Sequence, residues 1–306
     1  MCVGFVFIAY LLKQGWPVLH KQLSQIRWDL FLTSIVIALC GSVITSFYFH
    51  KLLEKFHGPL PSRLCINMYF FSQIAKYIPG KIWALIFQGL IGRGHVSGST
   101  IILANVELTA TQINNTLCTG LVLILYLQAH YALALLVLII TAAGCYMISV
   151  SCFIKKTSGR LLSILRKTKK YQHLDIHTLT CQHRFHTGWL MAFFVLFCAA
   201  AAVSHFAMLL SLFSFSTQTA MFYTALLTLS WIIGVITLIS PAGMGVRELI
   251  FIVLAQVSSQ QLDQQTLAAI AVVTRLWMIV YEMLGVSLLY LINKRFPFVL
   301  PSSSSS

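Results

Sequence analysis

The sequence predicts an all-α polytopic membrane protein, and three observations lead to that prediction. Of the 306 residues, 58% are hydrophobic and only 9% are charged, and the mean hydropathy is +0.84. Several apolar stretches reach the roughly 20 residues that a helix needs to cross the hydrocarbon core. The alternation of apolar and polar residues that marks membrane strands is absent, so we expect the spans to be helices.

About seven spans and two interrupted apolar segments follow one another along the chain. The first interrupted segment, residues 63–92, contains Pro79 and Gly80, and the second, at about residues 230–258, contains Pro241. Proline removes a backbone donor and glycine lets the chain reverse, so each segment is predicted to be a re-entrant hairpin. Ordinary proline kinks are the alternative. The predicted spans are residues 1–17, 28–50, 98–128, 131–153, 188–213, 219–239 and 264–292.

The net charge of +14 is concentrated in one loop between spans. Eight of the 21 lysines and arginines lie between Lys155 and Arg184. Because basic residues accumulate on the cytoplasmic side of membrane proteins, residues 154–187 are predicted to form a cytoplasmic loop. The loop can attract anionic lipid headgroups. Nucleic acid is not an expected partner, since aromatic side chains are not interleaved with these charges.

This loop divides the chain into two membrane halves, residues 1–153 and 188–292, and residues 293–306 are predicted to be a flexible tail. With the loop in the cytoplasm, the first hairpin would open inward and the second outward. Paired interrupted segments in two halves are typical of transporters built from inverted repeats. One conflict remains, because the basic residues between 13 and 27 would then lie outside.

Charged residues within the apolar segments point to a functional site. They are Glu107, Arg247, Glu248, Arg275 and Glu282. An ionisable group at membrane depth costs about 3 kcal/mol or more unless it is paired or hydrated, so such a group usually has a function. The simpler alternative is a structural ion pair between helices. Arg247 is the best candidate for a phosphate ligand, because a guanidinium binds phosphate bidentately and stays charged when buried.

Signatures of catalysis and of metal binding are missing from the sequence. We find no paired carboxylates with a nucleophile and no Gly-rich phosphate loop, and the eight cysteines form no CxxC pair. The run from Cys181 to His186 has spacing like that of metal ligands, but nothing completes the set. We therefore predict no catalytic residues, no metal and no cofactor.

Two motifs, one at each interrupted segment, carry a resemblance to a known family. The first is residues 77–80 (Tyr-Ile-Pro-Gly), followed by Arg93 and Glu107, and the second is residues 240–248 (Ser-Pro-Ala-Gly-Met-Gly-Val-Arg-Glu), followed by Arg275. With these motifs the chain resembles the lysylphosphatidylglycerol synthase/flippase transmembrane domain family, which includes stand-alone flippase-like bacterial membrane proteins.

The resemblance, which runs over about residues 28–291, implies a lipid translocase in the bacterial cytoplasmic membrane. The substrate would be an anionic phospholipid or a polyprenyl-phosphate-linked glycan intermediate of cell-envelope biogenesis, and envelope-glycan enzymes would be partners. Aminoacylation of lipid is not expected, because no soluble transferase domain follows the last span. A membrane-embedded glycosyltransferase-type enzyme and a non-catalytic member of a glycan-assembly complex are the alternatives.

The expected headgroup site combines residues from both motifs and from the helices that follow them. This chain departs from the family pattern at residues 81–83 (Lys-Ile-Trp), where further glycines and an acidic residue are usual, and the nature of the headgroup therefore stays open. The residues expected to bind the headgroup are Tyr77, Pro79, Gly80, Lys81, Arg93, Glu107, Pro241, Gly243, Gly245, Arg247, Glu248 and Arg275.

Overall fold

The computed structural model is helical throughout the part of the chain that it describes. That part comprises residues 2–78, 82–150, 187–237, 241–258 and 262–296. It contains ten α-helices, one short 3₁₀ helix (Pro241–Gly243) and no β-strand. The α-helices are α1 (Cys2–Leu23), α2 (Trp28–His57), α3 (Ser62–Ala75), α4 (Ile82–Ile91), α5 (Gly98–Leu127), α6 (Tyr131–Val150), α7 (Thr187–Leu212), α8 (Thr217–Ile236), α9 (Val246–Val257) and α10 (Gln264–Arg295).

Six of the described helices are long and apolar enough to cross a membrane: α2, α5, α6, α7, α8 and α10. They coincide with six of the predicted spans, and an all-helical multi-pass membrane protein is therefore confirmed at this level. Helix α1 contains residues 2–17 of the stretch predicted as a first span, and it is not among the six. The basic loop and most of the tail lie outside the described residues.

Helix α2 extends well beyond the predicted end of its span at residue 50 and reaches His57. Its last two turns carry charged side chains that find partners. Lys51 Nζ lies 2.7 Å from Glu54 Oε2 on the same helix, and Lys55 turns inward to a partner on another helix. These pairs allow a charged sequence to continue an apolar helix.

Both interrupted segments are broken where the sequence predicts. Helix α3 ends at Ala75 and α4 begins at Ile82, and the two pack against each other. Helix α8 ends at Ile236 and α9 begins at Val246, and these two also pack together. At 14, 10 and 12 residues, α3, α4 and α9 are about 21, 15 and 18 Å long, too short for a hydrocarbon core of about 30 Å.

The turn between α8 and α9 depends on left-handed backbone and on the absence of side chains. Ala242, Gly243 and Gly245 have φ angles of 49°, 71° and 86°, a region that suits glycine. A Cβ atom on Gly243 would lie 2.9 Å from the carbonyl oxygen of Gly234 in α8. Because Gly243 and Gly234 carry no side chain, the returning chain packs directly against α8, the helix that it has just left.

Contacts along α2 and α7 show that the two helices run antiparallel. The amide of Arg27 donates to the carbonyl of Ser211 at 2.9 Å, and at the other end the rings of Tyr48 and Phe193 stack with centroids 3.9 Å apart. Helices α3 and α10 are antiparallel as well. Arg63 at the start of α3 bonds to Asn293 near the end of α10.

Helix α10 is the central helix of the described structure. It packs against α1, α2, α3, α7 and α9. In its most apolar stretch of 18 residues, 67% of the residues are buried, the largest share among the six spanning helices. Asp263 caps its N-terminus by accepting from the amide and the hydroxyl of Thr266 at 3.1 and 2.6 Å. These hydrogen bonds lower the pKa of the Asp263 carboxyl.

Gly243→Ala tests the tight turn. We expect the left-handed backbone to cost about 1–3 kcal/mol and the contact with the Gly234 backbone to add at least about 1 kcal/mol. Gly94→Ala is the matched control, because Gly94 also has a positive φ of 82° but has nothing within 4 Å of its Cβ position. Thermal unfolding of the purified proteins measures both. Equal melting temperatures for the two variants would contradict the close approach.

Candidate functional site

Two buried arginines line an internal cavity between α8, α9 and α10, which we call the arginine cavity. Its volume is about 10 Å³, about what the centre of one water molecule needs. The arginines are Arg247, 5% exposed, and Arg275, 4% exposed. The cavity is lined by Leu227, Ser230, Arg247, Glu248, Phe251, Ala271, Thr274 and Arg275.

Arg247 lies in the first turn of α9, directly after the glycine turn. Gly234 of α8 faces it, and a Cβ there would come within 3.2 Å of the Arg247 Cβ, so a larger residue would displace the arginine. Its guanidinium contacts the thioether sulfur of Met278, and a thioether is a weak acceptor. No carboxylate of the described residues lies within 4.0 Å of this guanidinium.

Arg275 approaches the same cavity from the middle of α10. Its Nη2 donates to the carbonyl oxygen of Ala242 in the glycine turn at 2.9 Å, which ties the second interrupted segment to the central helix. Its Nε is buried and has no hydrogen-bond partner in the described structure. The nearest carboxylate oxygen, Glu248 Oε1, is 3.7 Å from this Nε, an ion pair without a hydrogen bond.

Glu248 lies in the first turn of helix α9 and caps its N-terminus. Its Oε2 accepts from the backbone amide of Gly245 at 2.7 Å, which satisfies one of the free donors at a helix N-terminus. Its other oxygen faces Arg275. The ion-pair partner of Glu248 is therefore Arg275 and not its sequence neighbour Arg247.

The first interrupted segment reaches the same region of α10 through Glu282. Lys76 Nζ lies 2.5 Å from Glu282 Oε1, and the Tyr77 hydroxyl donates to Glu282 Oε2 at 2.7 Å. The Arg275 guanidinium lies 6.0 Å from the centroid of the Tyr77 ring, within range of a cation–π contact. Residues from both interrupted segments therefore meet on the middle of α10.

Glu107 belongs to a different cluster and does not line the arginine cavity. Both of its oxygens accept from Lys55 Nζ, at 2.8 and 2.7 Å, and the same ammonium donates to the carbonyl of Ser149 at 2.7 Å. Glu107 is 0% exposed and Lys55 is 6% exposed. Three short hydrogen bonds use all three ammonium protons. This arrangement matches the structural ion pair that was the simpler alternative at the sequence level.

Two residues of these clusters, Lys55 and Lys76, are not among the residues that the sequence was expected to place at the headgroup site. One signal was available for Lys55. It lies three and seven residues after Leu52 and Tyr48, and these three residues share one buried face of α2. The partner of Lys76 is 206 residues away, and no local pattern predicts that contact.

The other predicted site residues have different positions. Arg93 is exposed, in the turn after α4, and does not line the arginine cavity. Gly243 and Gly245 shape the turn that precedes Arg247 in the chain, and Pro241 begins the 3₁₀ helix of that turn. Pro79, Gly80 and Lys81 lie outside the described residues.

Comparison with known proteins adds no assignment. No protein-family model matches the chain, and no curated protein matches it significantly. The family resemblance therefore rests on the two sequence motifs, and the function has to be inferred from the chemistry of the cavity.

Removing one partner of the Lys55–Glu107 pair tests its structural role. We expect Glu107→Gln to lower the free energy of unfolding by about 3–5 kcal/mol, because the Lys55 ammonium stays buried without its counter-charge. Lys55→Met combined with Glu107→Leu removes both charges and should recover most of that loss.

Thermal unfolding in detergent measures these effects, and Lys51→Met is the control, since the Lys51–Glu54 pair lies at the surface and contributes about 1 kcal/mol or less. A double variant as unstable as Glu107→Gln would show that the pair is not the cause.

Proposed function

We propose that the protein is a flippase-like translocase for a lipid with an anionic phosphate headgroup. The observation that carries this proposal is the pair of buried guanidiniums of Arg247 and Arg275, which line one cavity. Arg275 also contacts both interrupted segments, through the Ala242 carbonyl and the Tyr77 ring. The substrate is an anionic phospholipid or a polyprenyl-phosphate-linked glycan intermediate of the bacterial cell envelope. The resemblance to the lysylphosphatidylglycerol synthase/flippase transmembrane domain family supports the same function.

The two arginines have hydrogen-bond donors without a strong acceptor among the described residues, and these donors favour a phosphate ligand. Arg247 gives one donor to a sulfur atom, and the Nε of Arg275 has no acceptor in the described structure. Phosphate oxygens accept from guanidinium groups in bidentate, charge-assisted bonds, which are about twice as strong as neutral ones. Helix α9 begins beside the cavity at Val246, and the positive end of its dipole also favours an anion.

The order of the helices supports an inverted repeat. In each half a long helix is followed by a broken pair and then by another long helix, so that α2–α5 correspond to α7–α10. Cross-packing is reciprocal, because α10 contacts α3 and α5 contacts α8. The equivalent helices α2 and α7 are antiparallel. We infer that the breaks after α3 and after α8 face opposite sides of the membrane, with α8 itself long enough to span it and with α1 and α6 outside the repeat.

Translocation requires that the broken segments move relative to α10. The arginine cavity has room for about one water molecule and a phosphate group is larger than that, so the headgroup binds only when the cavity widens. Polar contacts hold each segment to α10: Lys76 and Tyr77 on Glu282 for the first, and the Ala242 carbonyl on Arg275 for the second. Opening one set at a time would expose the arginines to one leaflet, while the lipid tails stay in the bilayer.

Substitution of Arg247 tests the proposal. In liposomes with a fluorescent phosphatidylglycerol, we expect Arg247→Ala to abolish translocation and Arg247→Lys to slow it about tenfold. Lysine keeps the charge but loses the planar fork, and one hydrogen bond to a charged group contributes about 1.5–3 kcal/mol. Accessibility of the label in the outer leaflet measures the rate.

Arg27→Ala is the matched control, because the Arg27 side chain is 62% exposed and lies outside the cavity. Equal rates for wild type, Arg247→Ala and protein-free liposomes would contradict the proposal. Chemical conversion of the lipid by purified protein in detergent would instead identify the enzyme alternative, since detergent offers no second leaflet.

A further inference from the structure

We infer that the arginine cavity is matched to a phosphodiester, a headgroup phosphate with a single negative charge. This inference rests on the proposed function and narrows its substrate class. It concerns five charged residues around the middle of α10, which we call the charge cluster: Lys76, Arg247, Glu248, Arg275 and Glu282.

The members of the charge cluster form one electrostatic unit. Lys76 is 2.5 Å from Glu282, and Arg275 is 3.7 Å from Glu248. Arg247 lies within electrostatic range of Arg275, Glu248 and Glu282. Arg247, Glu248, Arg275 and Glu282 are buried, and the Lys76 side chain is 29% exposed. Charges in such an environment are weakly screened and act on one another strongly.

Three cations and two carboxylates give the charge cluster a net charge of +1. The pairing shows where this charge lies. Glu282 pairs with Lys76 and Glu248 pairs with Arg275, whereas the Met278 sulfur is the only acceptor that the described residues offer Arg247. Among the described residues of the charge cluster, the uncompensated charge is therefore that of Arg247, which lines the cavity.

A ligand with one negative charge neutralises this cluster, and a ligand with two leaves a buried negative charge. A phosphodiester carries one charge, whereas a phosphomonoester has a second pKa of about 6 and is close to doubly charged at pH 8. A buried charge without a partner is costly. The cavity should thus prefer a phospholipid diester, or a glycan joined to its lipid through one phosphate, over a diphosphate-linked lipid or a lipid monoester.

The test compares two short-chain lipids that differ in headgroup charge. Dihexanoyl phosphatidylglycerol is a phosphodiester and dihexanoyl phosphatidic acid is a phosphomonoester with the same tails. Calorimetric titration of the purified full-length protein at pH 8 gives both dissociation constants. For wild type we expect the diester to bind at least about tenfold more tightly, because the second charge of the monoester finds no partner.

Substitutions in the Lys76–Glu282 pair change the net charge of the charge cluster and leave both arginines in place. Glu282→Gln raises the count to +2 and should reduce the preference for the diester about tenfold or reverse it. Lys76→Gln lowers the count to 0 and should weaken binding of both lipids. The double variant restores +1 and should restore the wild-type preference. Glu54→Gln, which removes a carboxylate outside the charge cluster, is the matched control and should leave the preference unchanged.

Each outcome decides the inference. A wild-type preference for the monoester, or the same ratio in wild type, Glu282→Gln and the double variant, overturns charge matching. If Glu282→Gln does not fold, the ratio in the double variant and the affinities of Lys76→Gln decide in its place. Loss of translocation in Arg247→Ala with no headgroup preference in wild type refutes only this inference, whereas translocation that is independent of Arg247 refutes the proposed function.

Discussion

The structure depends on one constraint: a charge buried in an apolar interior must have a partner. Helix α10 meets this constraint at two positions, two turns apart, with Arg275 and Glu282. Arg275 bonds to the turn of the second interrupted segment, and Glu282 holds Lys76 and Tyr77 at the end of the first. Helices α3 and α9, which are too short to span the membrane on their own, are thereby fixed to the most buried of the six spanning helices.

The two buried clusters solve the same electrostatic problem differently. In the Lys55–Glu107 pair every ammonium proton already has an acceptor within the protein. The pair therefore offers no donor to a ligand, and it joins α2 to α5. Around Arg247 the carboxylates are already paired with other cations, and among the described residues its guanidinium has only a sulfur atom as an acceptor. Incomplete hydrogen bonding is costly for stability, and it is the property on which the proposed ligand site rests.

The sequence predicts much of this arrangement, because membrane burial makes each signal strong. Hydropathy locates six spans, and proline and glycine locate both breaks. The convergence of Arg247, Glu248 and Arg275 follows from their burial. The sequence does not reveal that Glu107 lies elsewhere, because its partner Lys55 is on another helix, 52 residues away in the sequence. Whether a buried charge is structural or functional depends on the partners that only tertiary packing supplies.

The glycines behind Arg247 show how backbone geometry and charge combine at the site. Gly234 and Gly243 allow α8 and the turn to touch, and this contact places the first turn of α9 beside α10. A bulkier residue at either position would push the turn outward and separate the Ala242 carbonyl from Arg275. That carbonyl is the only acceptor for Arg275 within the described structure. The uncompensated charge of Arg247 and the contact that closes its cavity therefore depend on the same few residues. In the proposed translocase, binding of an anion at Arg247 would thus be coupled to movement of the second broken segment.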